Sequence, residues 1–183
     1  LNTKIGLALG GGAAKGIAHI GVIKCLEEDE IDIAYISGTS IGSLVAAFYA
    51  FGRSIEDMMS ISETLSISRV TSFTLRKRGF FTTESIRELI IQELGDVNIE
   101  DSKIPLAILA ADITTGEEIV FRHGPLADAI CASIAVPGVY VPVEIQGRLL
   151  VDGGIVENVP ISPLKKMGAG IIIAVDLNGI SRY

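Results

Sequence analysis

The chain reads as an α/β protein with a mostly parallel central sheet sandwiched by helices. Strand-like and helix-like segments alternate along much of it, which is the signature of that class. Its apolar runs, such as Gly170-Ile171-Ile172-Ile173-Ala174-Val175, suit strands buried on both faces, and they stop well short of the ~20 residues that cross a bilayer. At 183 residues the chain is long enough to bury a sizeable core and fits one domain spanning 1–183.

Each element follows from its local pattern. Lys4–Leu9 is a short β-like run halted by Gly10-Gly11-Gly12. Ile17, Ile20, Ile23 and Leu26 then recur at helical spacing. Ile33–Ser37 predicts a second strand and Ile41–Phe51 a helix rich in small residues. Ser54 with Asp57 three residues on predicts a capping box for the next helix. A further helix starts at Thr82 or Thr83 and carries Ile86, Leu89, Ile90 and Leu94. Leu106–Ile113 and Glu118–Arg122 flank a Thr114-Thr115-Gly116 turn and predict a hairpin. A helix near Pro125–Ser133, strands at Tyr140–Ile145 and Arg148–Val151, and a last strand at Ile171–Val175 complete the reading, with antiparallel pairs in the second half. The segment Thr64–Thr83 stands apart: it has no acidic residue, four basic ones (Arg69, Arg76, Lys77, Arg78) and the aromatics Phe73, Phe80 and Phe81. It reads as a mobile loop or lid rather than a domain boundary.

Composition removes several function classes. A net charge of −7 argues against nucleic acid, whose phosphates call for a basic excess. Cys25 and Cys131 are too few and too far apart for a metal knuckle or a disulfide framework, and read as two buried thiols in a reducing cytoplasm. No charged segment followed by an apolar one opens the chain, so no signal peptide is expected. The expected location is cytoplasmic, with a peripheral contact to the inner membrane face. His19 and His123 are the only histidines.

Three motifs carry chemistry. Gly38-Thr39-Ser40-Ile41-Gly42 is a G-x-S-x-G pentapeptide between a predicted strand and a predicted helix, the context that a nucleophile elbow requires. At a helix N-terminus the local dipole favours developing negative charge on Ser40; the plainer reading is a serine that only caps the helix. Gly10-Gly11-Gly12-Ala13-Ala14-Lys15-Gly16 fails both phosphate-binding templates, because Lys15 precedes Gly16 where a P-loop needs Gly-Lys-Ser/Thr, and no dinucleotide register places all three glycines. Two readings stay open for it: an oxyanion hole built from successive backbone N–H groups, and a tight turn with no ligand. Lys15 is either an anion contact or a solvated lysine. Val151-Asp152-Gly153-Gly154 offers an aspartate that is either a catalytic carboxylate or the first residue of a hairpin turn.

In the order Gly-rich loop, G-x-S-x-G, D-G-G, these motifs resemble the patatin-like phospholipase family, closest to its small bacterial members. Ala132-Ser133-Ile134-Ala135-Val136-Pro137 is similar to the family's A-S-x-A-x-P block, and Asn158-Val159-Pro160 follows the aspartate. The resemblance runs from Lys4 to about Asp176. It implies a patatin-like fold, a Ser40–Asp152 dyad, and an oxyanion hole from the N–H groups of Gly10, Gly11, Gly12 and Ala13. Many family members carry glycine where Ala13 stands, so the backbone conformation there is a point for the structure to decide.

A dyad makes sense of the histidine shortage, since no histidine follows Asp152 and the order Ser–acid–His of α/β-hydrolases is not available to it. A triad of Ser40, Asp112 and His123 is the formal alternative. His123, beside Gly124-Pro125, is expected at the surface, and His19 is expected to pack under the Gly-rich loop. The function expected is a serine lipid acyl hydrolase that cleaves carboxylic esters of phospholipids or related lipids through an acyl-enzyme, with no metal or cofactor. The alternative is a non-catalytic regulatory or partner-binding protein on the same fold. A nucleotide-binding protein is disfavoured by the failed templates.

Overall fold

The computed structural model describes residues 3–63 and 81–179. The described sheet runs β5-β6-β3-β2-β1-β7, with β4 also paired to β3. Its strands are β1 (Ile5–Leu9), β2 (Ile33–Thr39), β3 (Leu106–Asp112), β4 (Glu118–Phe121), β5 (Val143–Ile145), β6 (Arg148–Asp152) and β7 (Ile171–Val175). Parallel pairing joins β7 to β1, β1 to β2 and β2 to β3; β3 pairs antiparallel with β4 and β6, and β6 with β5. Strands β7, β1, β2, β3 and β5 therefore point one way and β4 and β6 the other, which is the mixed, mostly parallel sheet expected.

The helices are α1 (Ile17–Glu28), α2 (Ile41–Ala50), α3 (helical over the described residues 55–63), α4 (Glu84–Leu94), α5 (Leu126–Ile134) and α6 (Ile161–Met167). Strand alternation assigns them to the two faces of the sheet. Leu7, Leu9 and Ile36 join a buried core with Ile20 and Ile23 of α1, Leu44 and Phe48 of α2, and Ile130 of α5. On the opposite face Gly6 lies against Leu164 of α6, and the hydroxyls of Ser37 and Thr39 donate to Pro160 O at 2.6 Å and Glu157 O at 3.1 Å. Helix α2 is buried on nearly all sides, as its apolar, small-residue sequence requires.

Several expectations shift in detail. β2 continues two residues past Ser37 to Thr39, so the strand runs straight into the G-x-S-x-G turn. β5 starts at Val143, while Tyr140 instead bridges to Phe81. Helix α6 had no sequence counterpart, being seven residues long with Pro160 at its N-cap and Pro163 in its first turn, where a missing N–H is tolerated. The predicted capping box forms, with Asp57 N donating to Ser54 Oγ at 3.1 Å and Ser54 N to Asp57 Oδ2 at 3.4 Å. Cys131 is buried as expected, but Cys25 is exposed. Most of the basic Thr64–Thr83 segment lies outside the described residues. Of its described end, Phe81 is half-buried and not free: its N–H donates to Val139 O at 2.9 Å, its carbonyl accepts from Val141 N at 3.0 Å, and its ring sits 6.2 Å from that of Tyr140. No described helix is long and apolar enough to cross a membrane.

Candidate active site

The middle strand assembles the site. Residues 108–111 of β3 pair with β4 along one edge. The other edge is shared: β2 occupies it up to Thr39 opposite Leu109, and β6 takes over with Asp152 opposite Ala110. The end of β2 and the end of β6 thus meet head to head at consecutive positions of one strand. Ser40, the residue after Thr39, is brought to Asp152 although 112 residues of chain separate them.

Ser40 sits at φ 54°, ψ −128°, a conformation that costs a non-glycine residue on the order of 1–3 kcal/mol and persists only where the surroundings enforce it. The surroundings do so. Ser40 O accepts from Ser43 N at 2.9 Å and from Ser43 Oγ at 2.6 Å, and Ser40 N donates to Ser133 Oγ at 2.9 Å. The flanking glycines allow the turn to close. A Cβ on Gly38 would come within 2.4 Å of Ser43 Cα, and one on Gly42 within 2.1 Å of Leu9 O. The serine is therefore an elbow residue and not a mere helix cap; its side chain caps nothing in α2.

Asp152 is 6% exposed. It closes β6 and leads into a short turn rather than a hairpin, its Oδ1 accepting from Gly154 N at 2.7 Å. Its own N–H donates to Ala135 O at 3.0 Å. Burial pushes its carboxyl above the ordinary carboxylate range, while the hydrogen bonds from the Ser40 hydroxyl and the Gly154 N–H pull it back down. A desolvated carboxylate facing a serine hydroxyl is a competent proton acceptor.

The Gly-rich loop faces the same spot, with the Ser40 Cβ 3.2 Å from where a Cβ on Gly11 would stand. Its donor set is smaller than the sequence suggested. Gly10 N donates to Val175 O at 3.0 Å and Gly11 N to Asn158 O at 3.1 Å, so these two amides hold the loop to the sheet and to the segment after Asp152. Of the four N–H groups expected, those of Gly12 and Ala13 have no backbone partner among the described residues. Ala13 does adopt the left-handed conformation that glycine would reach more cheaply, at φ 49°. Asn158 closes the clamp by donating from Nδ2 to Gly11 O at 3.3 Å.

Lys15 is exposed and donates from Nζ to Leu177 O at 3.1 Å, so it braces the loop from outside. His19 lies fully buried under the loop, with Nε2 2.7 Å from Gly10 O and Nδ1 without a partner among the described residues. Burial lowers its pKa, against the opposing effect of that contact. The Ser40–Asp112–His123 triad does not form. Asp112 is held by its own turn, accepting from Thr114 N at 2.9 Å and Thr115 N at 3.2 Å. Phe121 pairs with Ile108, and continuing that register sets the exposed His123 level with the far end of β3, roughly 20 Å along the strand from Asp112. Sequence reasoning gave no individual role to Ser133 and Asn158, although both stand in the A-S-x-A-x-P and N-V-P blocks. Motif membership was the available signal.

The mixed sheet flanked by helices is an α/β fold that solved proteins share. VipD from Legionella pneumophila superposes with a TM-score of 0.64 at 17% identity, over 87% of this chain and 47% of that one. ExoU, in its complex with SpcU from Pseudomonas aeruginosa, gives 0.53 at 21% identity, over 77% and 39%. At these identities the likeness is one of fold. The sequence model of the family described as Patatin-like phospholipase matches residues 7–165, and the chain belongs to that family. Among its relatives, an uncharacterized NTE family protein of Mycobacterium tuberculosis is 40% identical over 179 residues, covering 96% of this chain and 49% of the relative. Lysophospholipase NTE1 of Candida glabrata is 36% identical over 185 residues, covering 96% of this chain and 10% of the relative. The chain thus spans half or less of the length of these curated relatives.

Proposed function

We propose that the chain is a serine lipid acyl hydrolase that cleaves carboxylic esters through a Ser40–Asp152 dyad. The observation that carries this reading is the strained Ser40 hydroxyl facing a buried carboxylate whose pKa burial raises. Membership of the patatin-like family and similarity to a protein named lysophospholipase favour a lipid ester as substrate.

In the proposed sequence Asp152 takes the hydroxyl proton as Ser40 Oγ attacks the ester carbonyl. The N–H groups of Gly12 and Ala13 receive the oxyanion. The tetrahedral intermediate collapses, Asp152 returns the proton to the departing alcohol, and an acyl-Ser40 ester remains. Water then attacks that ester with Asp152 again as base, releasing fatty acid and restoring the hydroxyl. Exposed apolar side chains lie close to the dyad in the chain and would receive an acyl chain: Ile155 and Val156 follow Asp152, and Val136 follows Ala135, which accepts the Asp152 N–H.

Fatty-acid release from a lysophospholipid, a diacyl phospholipid and a series of p-nitrophenyl esters tests the proposal. Wild type is expected to hydrolyse members of the series and Ser40→Ala to lose at least about 10⁴-fold in kcat. No release from any substrate, or a Ser40→Ala variant retaining about a tenth of wild-type kcat or more, overturns it.

The same reading extends to a peripheral contact with anionic membrane through Arg69, Arg76, Lys77 and Arg78, each worth about 1 kcal/mol near such a surface. Changing Arg76, Lys77 and Arg78 to Gln is expected to abolish co-sedimentation with anionic vesicles at low salt and to leave hydrolysis of a soluble ester intact. Unchanged binding, or an equal loss on both substrates, counts against that contact.

A further inference from the structure

We infer that Ser133 is a positioning residue that holds the nucleophile elbow in its working conformation, and that the C-terminal end of α5 clamps both members of the dyad through their backbones. The inference rests on the reading of Ser40 as nucleophile.

The Ser40 N–H is an orphan of the regular hydrogen-bond ladders. At φ 54° the Ser40 N–H belongs neither to the sheet ladder that ends at Thr39 nor to the ladder of α2. It is buried, and a buried N–H without a partner costs about 1–3 kcal/mol. Ser133, itself fully buried on α5, supplies the partner at 2.9 Å. An amide only donates, so the Ser133 oxygen must accept and its proton must go elsewhere; it goes to Leu109 O at 2.6 Å. A helical serine ordinarily returns that proton to a carbonyl of its own preceding turn. Here the hydroxyl reaches across to the sheet instead.

The choice of Leu109 gives the contact its meaning. Leu109 is the β3 residue opposite Thr39, and its neighbour Ala110 is opposite Asp152. Ser133 therefore sits at the join where β2 stops and β6 takes over, and ties the backbone of Ser40 to β3, the strand against which the acid's own strand β6 is registered. Two residues on, Ala135 O accepts the N–H of Asp152 at 3.0 Å. One helix end fixes both partners, and the register between hydroxyl and carboxylate depends on it. Without the Ser133 hydroxyl the elbow loses its external tether, and a displacement of about 1 Å at reacting atoms costs up to about 10²-fold in rate.

The test compares wild type with Ser133→Ala, Ser133→Cys and Ser133→Thr, measuring kcat and KM on a p-nitrophenyl ester, the rate of fluorophosphonate modification at Ser40, and thermal unfolding. Expected for Ala and Cys is a fall of about 10- to 100-fold in kcat and in modification rate, with KM within about two-fold. Thr, which keeps the hydroxyl, is expected to return to within about five-fold of wild type. If Ser133→Ala does not fold, the near-isosteric Cys variant carries the same comparison. Three results overturn the inference: Ala and Cys within about three-fold of wild type, a loss confined to KM, or a folded Thr variant as slow as Ala. If wild type is never modified at Ser40, the nucleophile assignment fails first and the inference falls with it.

Discussion

Asp112 and Asp152 are alike by every local measure. Each ends a strand, each leads into a turn, and each is nearly out of solvent at 4% and 6% exposure. They belong to adjacent antiparallel strands, Asp112 opposite Leu150 and Asp152 opposite Ala110. Their surroundings separate them. Asp112 receives two backbone amides from its own turn, and the Arg148 guanidinium stands 3.7 Å away, so its charge is satisfied where it is. Asp152 receives one turn amide and the Ser40 hydroxyl, and burial dominates its titration. One carboxylate holds a turn, and the other faces a serine hydroxyl with burial raising its pKa. Both sit at buried strand ends; the difference lies in what each side chain meets there.

The largest expected effect breaks the pair apart. Asp152→Asn is expected to lower kcat by at least about 10³-fold, and Asp112→Asn to leave it within about three-fold, both read on a p-nitrophenyl ester at saturating substrate. The combined variant with Ser40→Ala and Asp152→Asn should be no slower than either single, because residues acting as a unit are not additive. Comparable losses at the two aspartates would erase the distinction.

The elbow gives the next largest effect. Gly42→Ala places a Cβ within 2.1 Å of a backbone oxygen of β1, and neither partner has a flexible end to move aside. Loss of folded protein, or at least about 3 kcal/mol of stability in urea unfolding, is expected.

A smaller effect concerns stability and pH. The folded-state pKa of Asp152 is raised above its ordinary value, so its proton stabilises the fold at low pH, and that stability is lost as pH rises through the folded value. Asp152→Asn removes the ionisation and keeps an acceptor for Gly154 N–H. At pH 8 the variant should melt higher than wild type, by about 2–4 °C for each kcal/mol relieved, with the gain vanishing at low pH. His19 has the opposite sign: its pKa is lowered by burial, so the unfolded chain takes up the proton first and stability falls as pH drops below 6.5. Thermal unfolding between pH 5 and 7 should show that decline in wild type and not in His19→Gln.

Much of this was legible in the sequence because the relevant forces are local. Apolar periodicity located β1, α1, α2 and α4, and small residues around Ser40 announced a tight turn. The loss of α6 from the sequence reading reflects a seven-residue helix with one proline at its N-cap and another in its first turn; Glu157 caps it, accepting from Ile161 N and Ser162 N at 2.9 Å each. The donor assignment of the Gly-rich loop was out of reach for a different reason. Gly10 and Gly11 look as free as Gly12 along the chain, yet their amides are spent on Val175 and Asn158, far downstream. Ser133 was marked only by its place in the A-S-x-A-x-P block: a serine in an apolar helix carries no sign of the distant amide it holds. Elements are written in neighbours along the chain, and sites in neighbours across the sheet.

The central claim is that Ser40 attacks and Asp152 takes its proton. Intact-mass and peptide mapping after fluorophosphonate treatment, on wild type and Asp152→Asn, addresses both halves at once. The account predicts one adduct, on Ser40, formed at least about 10²-fold more slowly in Asp152→Asn. An adduct on another serine, or labelling of Ser40 at the same rate with and without the carboxylate, would contradict it.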